Sequence, residues 1–384
     1  MTGSLCGLIE NQLIDNPDDG RNMIRLSGKA MVFVLVLGLP ALADDFDAGR
    51  SAYEQGDFDT ASSVWTSLAE QGDAPSQYAL ARMYHYGAGV EPNLERALEW
   101  YRAAADQGHG EAQHALAWRY FKGDGLSQNY SEAASWYVKA ALQGNAEAQN
   151  QLGWMFIKGL GVPQDINEAR KWLKDAAGQG HVEAKNNFGW LYLKGLGGLQ
   201  DQGQALEWIS KAAGQGHVKA QQNLGWMYEH GEGVAPNIND AIHWYQKAAL
   251  QGNAESQFIL GTMYYNGRKI GQDFVEAKKW FEMGARQGLA KIQFNLGVMY
   301  FNGQGTAKDV EKAMEWIVKA AEQGLAEARY NLGVFYQDGI GVGVDKKWAL
   351  HWLSEAIVSY EASGIPPKDL HQRHLQLQQE GQTD

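Results

Sequence analysis

Residues 73–108 read DAPSQYALARMYHYGAGVEPNLERALEWYRAAADQG, and the spacing of apolar and turn-forming residues within this one stretch decides the fold. Ser76, Leu80, Met83 and Tyr84 lie at i, i+4, i+7 and i+8, one stripe of an α-helix, here helix A. Gly87 follows, a residue that reaches positive φ at a helix C-terminus without a Cβ clash. Six positions later Asn93 stands as an N-cap, its side-chain oxygen able to accept from the free N–H groups of a second helix, helix B. Ala97, Trp100 and Ala104 then fall at i, i+3 and i+7. The stretch predicts a helical hairpin.

Outward from it, the closing Gln-Gly pair recurs at Gln71-Gly72, Gln107-Gly108, Gln143-Gly144, Gln179-Gly180, Gln215-Gly216, Gln251-Gly252, Gln287-Gly288 and Gln323-Gly324, always 36 residues apart. An array free of insertions means that each unit stacks on the next in one register, which is how a solenoid buries its core. Every unit keeps the helix A glycine (Gly87 to Gly339), an Asn or Asp at the cap (Asn93 to Asp345) and the pair Ala97 and Trp100, through Ala349 and Trp352. The small residue permits close helix approach, and the eight helix B tryptophans are expected in the core.

The pattern carried by Ala148, Leu152, Gly153, Phe156, Gly159, Gly161, Val162, Asp165, Ala169 and Trp172 resembles the Sel-one-like repeat (SLR) family, relatives of tetratricopeptide repeats. The likeness covers residues 73–360. It implies an all-α, right-handed solenoid superhelix of eight 36-residue helix-turn-helix repeats. Departures are local: Lys269 replaces the second loop glycine and Gly284 a helix B alanine. Residues 44–72 read as an N-terminal tetratricopeptide-like capping hairpin around the Gly56-Asp57 turn. Residues 361–384 hold the Pro366-Pro367 break, a last polar helix over Lys368 to Gln379, and a tail.

Residues 1–43 read as a targeting segment. Arg25 and Lys29 precede the apolar run Ala30 to Leu39, then Pro40-Ala41-Leu42-Ala43, which fits a secretory signal peptide cleaved after Ala43, with Met23 the expected true start. The run falls short of the ~20 residues a membrane helix needs. The expected product is periplasmic or secreted, touching a membrane only through a partner. Cys6 is the one cysteine, so no disulfide framework forms. A formal net charge of -12, from 33 basic and 45 acidic side chains, disfavours nucleic acid.

Chemistry is sparse. Loops such as Gly87-Ala-Gly-Val lack a Gly-Lys-Ser/Thr sequel and a preceding strand, so they read as turns. His109, His181 and His217 share the position of Asp73 and Asn145 and read as caps. His371 and His374 offer only two ligands on a tail, too few for a metal site. No Ser-His-Asp or paired-carboxylate constellation stands apart from the periodic pattern, so neither enzyme activity nor a cofactor is expected.

The remaining candidate is a surface. On the helix A wheel, with Leu80 at 0°, residues 78, 82, 85 and 86 lie at about 160°, 200°, 140° and 240°, away from the core. Position 82 recurs as Trp118, Trp154, Trp190 and Trp226 in four consecutive units; position 86 as Lys122, Lys158 and Lys194; position 85 as Phe121, Ile157 and Leu193; position 78 farther on as Phe258, Phe294 and Tyr330. The family resemblance implies that helix A lines a concave groove. Its indole faces and ammonium groups suit an extended segment of a protein partner, so the expected function is a protein–protein interaction scaffold. A glycan or exopolysaccharide laid on the tryptophan ladder is the alternative.

Overall fold

The computed structural model describes residues 41–380 apart from 199, 268 and 364. The predicted signal-peptide stretch up to Pro40 lies outside the described residues. Nineteen helices form among those described, and no strand. Helices α1 (Ala41–Glu54) and α2 (Phe58–Glu70) make the N-terminal hairpin. Eight hairpins follow: α3 (Ala74–Tyr86) with α4 (Leu94–Asp106), α5 (Gly110–Lys122) with α6 (Tyr130–Leu142), α7 (Ala146–Lys158) with α8 (Ile166–Gly178), and α9 (Val182–Lys194) with α10 (Gln202–Gly214). The other four pair α11 (Val218–His230) with α12 (Ile238–Leu250), α13 (Ala254–Asn266) with α14 (Phe274–Ala285), α15 (Ala290–Asn302) with α16 (Val310–Glu322), and α17 (Ala326–Asp338) with α18 (Lys346–Ser363). Helix α19 (Leu370–Glu380) closes the array, burying Leu370 and Leu377 against Leu353 and Tyr360.

The ends of these helices form where turn chemistry dictates. Each odd-numbered helix from α3 to α17 stops on a glycine with φ between +65° and +76°, from Gly87 to Gly339. Each even-numbered helix from α4 to α16 starts on an Asn or Asp that accepts a backbone N–H, as Asn93 does from Arg96 and Asp309 from Lys312. The array is an α-solenoid of eight repeats.

The expectation for the helix B tryptophans needs correction. Only Trp136 and Trp280 are buried, at 8 % and 2 % exposure; Trp100, Trp172, Trp208, Trp244, Trp316 and Trp352 are half-buried. The core place belongs to the next residue: Tyr101, Tyr137, Leu173, Ile209, Tyr245, Phe281, Ile317 and Leu353, none more than 2 % exposed. This side chain packs against the middle of helix A, where six units carry a glycine. A Cβ on Gly153, Gly189, Gly225, Gly261, Gly297 or Gly333 would come within 2.4–2.8 Å of Leu173, Ile209, Tyr245, Phe281, Ile317 or Leu353 respectively. The tryptophan beside it seals the edge of the unit, often under a lysine: Lys139, Lys211, Lys247 and Lys319 lie 3.6–4.6 Å from the ring centres of Trp136, Trp208, Trp244 and Trp316.

The recurring Gln-Gly pair has a second role besides the turn. Nε2 of Gln107, Gln143, Gln179, Gln251, Gln287 and Gln323 donates at 2.7–2.8 Å to Oε1 of Gln77, Gln113, Gln149, Gln221, Gln257 and Gln293 in helix A of the same unit. Nε2 of that second, buried glutamine donates to the carbonyl of Ala69, Ala105, Ala141, Ala213, Ala249 or Ala285, in the last turn of the preceding hairpin. The relay therefore satisfies buried amides and ties three successive helices together. It changes at two places. Lys185 takes the buried glutamine's position in the fourth unit and donates to Gln215 Oε1 at 2.8 Å. In the eighth, Arg329 reaches both the Ala321 carbonyl and Ser359, which stands where a ninth Gln would.

Candidate groove site

The odd-numbered helices α5, α7, α9 and α11 each present one tryptophan on their outer face. Trp118 is 38 % exposed, and Trp154, Trp190 and Trp226 are half-buried. Their covered side meets the fold: the Trp154 ring lies edge-on to Phe121 of the preceding unit at 5.9 Å, Trp190 packs against the buried cluster that holds Leu173, Phe188 and Leu191, and Trp226 against the one that holds Leu193, Ile209 and Leu224. Leu193 is only 5 % exposed, so it is a support beneath the groove and does not form its floor. The indoles thus form a partly exposed row, and in its last member the Trp226 ring is itself stacked on His230 at 4.6 Å.

Position 78 is the second correction. In the third to fifth units it is occupied by Asn150, Asn186 and Gln222, exposed by only 1 %, 5 % and 6 %. Asn187 donates to Asn150 Oδ1 at 3.1 Å and Asn223 to Asn186 Oδ1 at 2.9 Å, so consecutive odd-numbered helices touch there and this side of the wheel is an inter-unit seam. Farther along, Phe258 lies 6.4 Å from the buried ring of Phe281. Phe294 lines a cavity of about 290 Å³ with Thr262, Tyr265, Asn266 and Val298, opened because Thr and Val stand where the earlier units have Trp. Tyr330 is engaged within the fold: its hydroxyl donates to the Asp369 carboxylate at 2.8–2.9 Å, just before α19.

The two edges of the groove differ in charge. At the start of α5 and α7 the carboxylates are used internally. Asn145 donates to Glu111 at 2.9 Å, and His181 Nε2 lies 2.7 Å from a Glu147 oxygen, a contact that holds the Glu147 carboxyl down to about 2. At the other end, Lys122, Lys158 and Lys194 are exposed, and among the described residues no carboxylate pairs with them. Lys194 Nζ lies 5.3 Å from the Trp226 ring centre and Lys122 Nζ 5.7 Å from that of Phe121, so this basic row borders the aromatic one.

The histidines at positions 109, 181 and 217 are N-caps. Nδ1 of each accepts the backbone N–H three residues on, from Ala112, Ala184 and Ala220, at 3.1–3.2 Å. Burial lowers the proton affinity of His109 and His217. His374 sits 2.9 Å from Ser354 Oγ and takes part in docking α19. Among the described residues no group of three or more His, Cys, Asp or Glu could hold a metal ion, and no helix is long and apolar enough to cross a membrane. Sequence reasoning missed a hollow of about 480 Å³ at the N-terminal end, lined by Phe46, Arg50, Trp65, Tyr78 and Arg82. Its one legible sign was Arg82 standing first in a row that continues as Trp.

These features define a helical-hairpin solenoid whose odd-numbered helices carry an aromatic row and a basic row. The Sel1 repeat profile matches eight consecutive segments, from residues 74–109 to 326–357, and the chain belongs to the Sel1 repeat family. A protective antigen of uropathogenic Escherichia coli with an SLR fold is 35 % identical, the match covering 82 % of this chain and 70 % of that one at a TM-score of 0.69. A Sel1 repeat protein of Oxalobacter formigenes is 32 % identical over 82 % of this chain and 89 % of its own, at a TM-score of 0.62. No curated protein sequence matches. Sel1 repeat proteins generally mediate protein–protein interaction, and the family is typically one of scaffolds without catalytic activity.

Proposed function

We propose that this chain is an exported scaffold that holds an extended segment of a protein partner in the groove of its odd-numbered helices. The observation that carries the reading is the partly exposed row Trp118, Trp154, Trp190 and Trp226 bordered by Lys122, Lys158 and Lys194. An apolar row of this length on the surface of an array marks an interaction site, and aromatic side chains dominate binding energy where a partner desolvates them. Export rests on the basic, apolar and small-residue order of residues 25–43. N-terminal sequencing of the exported protein is expected to begin at Asp44; a chain beginning at Met1 or Met23 overturns it.

Crosslinking capture with Trp154→Ala and Trp190→Ala combined tests the groove. The two indoles are half-buried at the margin of the core clusters and are not among the fully buried side chains, so helical circular dichroism should persist. Partner affinity per folded molecule should fall by at least ~2 kcal/mol, the range of buried aromatic anchors. Unchanged affinity together with a strongly lowered melting temperature would assign the indoles to packing alone. Competition by soluble glycan, undiminished in high salt, would move the reading to a glycan ligand.

A further inference from the structure

The row of tryptophans stops inside the array, and the place of the next indoles is left unfilled. Trp154 lies edge-on to Phe121, the position-85 residue of the unit before, at 5.9 Å. Trp226 packs against the cluster that holds Leu193, the position-85 residue of the unit before it. In the seventh unit the same register sets Val298 against Tyr265. Here the row has Val, the unit before has Thr262, and the cavity of about 290 Å³ lies between Thr262, Tyr265 and Val298. An apolar cavity of about 150 Å³ is enough to hold benzene, so this one has room for a two-ring side chain.

The walls fix the chemistry of the occupant. Phe281, 1 % exposed, Phe294 and Tyr265 supply aromatic surface. The Tyr265 ring is held in place by its hydroxyl, which donates to Gln304 Oε1 at 3.1 Å, and by an edge contact with Phe274 at 5.4 Å. No charged side chain lines this cavity, and where the earlier units end α5, α7 and α9 on lysine, α13 ends on Asn266. A neutral ligand is therefore favoured over an anion. Thr262 has a buried hydroxyl with no hydrogen-bond partner among the described residues. With the amide oxygens of Asn266 and Asn295, it offers acceptors to a ring that carries one N–H. An apolar body with a single donor is the description of an indole.

We infer that the cavity between α13 and α15 is a seat for a tryptophan side chain of the partner, which continues the row of the protein's own indoles by one place. This deepens the protein-partner reading above and rests on it. The seat also gives the bound segment a direction, with basic and aromatic contacts in the second to fourth units and one neutral anchor in the sixth and seventh.

The test uses an end-capped pentapeptide of alanines with 5-fluorotryptophan at its centre, titrated with the mature chain and followed by fluorine NMR line broadening. Saturable binding is expected, about threefold or more tighter than that of the same peptide with 4-fluorophenylalanine, which lacks the ring N–H and the second ring. Val298→Trp fills the seat from within. It should raise the melting temperature and weaken the peptide by about tenfold or more, the worth of one buried aromatic side chain. Val298→Phe is made alongside, and decides the matter if the larger substitution fails to fold. No binding to the unaltered chain, equal affinity for the two peptides, or undiminished binding in the folded Val298 variants overturns the inference. So does binding of free 5-fluoroindole while the peptide is excluded, which would make this a small-molecule cavity closed to a partner's side chain. The groove reading is judged separately by crosslinking with the Trp154 and Trp190 variant: partner capture lost there while the peptide ignores Val298 sinks the tryptophan seat alone.

Discussion

At the scale of single residues, two positions depart from their equivalents, and each departure has a physical consequence. Arg119 stands where other units have Met83, Met155, Met227, Met263 or Met299, and it is 4 % exposed. Its guanidinium lies 4.3 Å from the Tyr101 ring centre and donates to the Ala115 carbonyl, with no carboxylate partner among the described residues. A buried cation held this way is costly, so Arg119→Met should raise stability by about 1–4 kcal/mol, read as a higher urea midpoint. The histidine caps are the other case. Nδ1 must be unprotonated to accept from Ala112 or Ala220, and burial already holds His109 and His217 below the usual imidazole value. The unfolded chain therefore binds protons first as pH falls through about 6.5, and the stability these caps confer is complete above that value and lost below it. His109→Asn with His217→Asn, matching Asn145 and Asn253, should flatten the fall in melting temperature between about pH 7.5 and 5.5. Each cap accounts for about 1 kcal/mol. An unchanged slope would place the acid sensitivity elsewhere.

At the scale of the helix, a constant letter and a buried side chain proved to be different things. The Trp100 series catches the eye because its identity never varies, while the residue after it changes among Tyr, Leu, Ile and Phe; yet the variable position is the buried one. The signal was present, since all eight of those residues are large and apolar, but variation in shape hid a fixed requirement for volume against the helix A glycine. Ile209→Ala should therefore cost about 3 kcal/mol by leaving a closed cavity. The half-buried Trp208→Ala should cost less, about 2 kcal/mol. Thermal melts that reverse this order would return the tryptophan to the core. Hairpins, caps and the Trp118 to Trp226 row were legible because each follows from spacing along one helix. The burial of Leu193, the seam at Asn150 and Asn186, and the capture of Tyr330 by Asp369 depend on contacts between units, which one unit's pattern does not encode.

At the scale of the molecule, stability in such an array is a sum of units and junctions, and the junctions here differ. In the fourth unit Lys185 replaces the buried glutamine and donates to Gln215, and its ammonium is not bonded to the Ala177 carbonyl. Hydrogen exchange should therefore be fastest, among the central units, at the junction of α8 with α9. Lys185→Gln should slow it there by roughly fivefold, the worth of about 1 kcal/mol of restored hydrogen bonding. Exchange that is uniform along the array would show that the relay does not set junction strength. The same relay bears on how such a chain can change in length. Because one amide hands on to the next at most junctions, a whole 36-residue block such as 218–253 can be excised or duplicated in frame, and the new neighbours find the groups they require. Arg329 with Ser359 breaks that interchangeability: its hairpin is written as a terminus, so growth by duplication is open to the interior of the array and closed at its end.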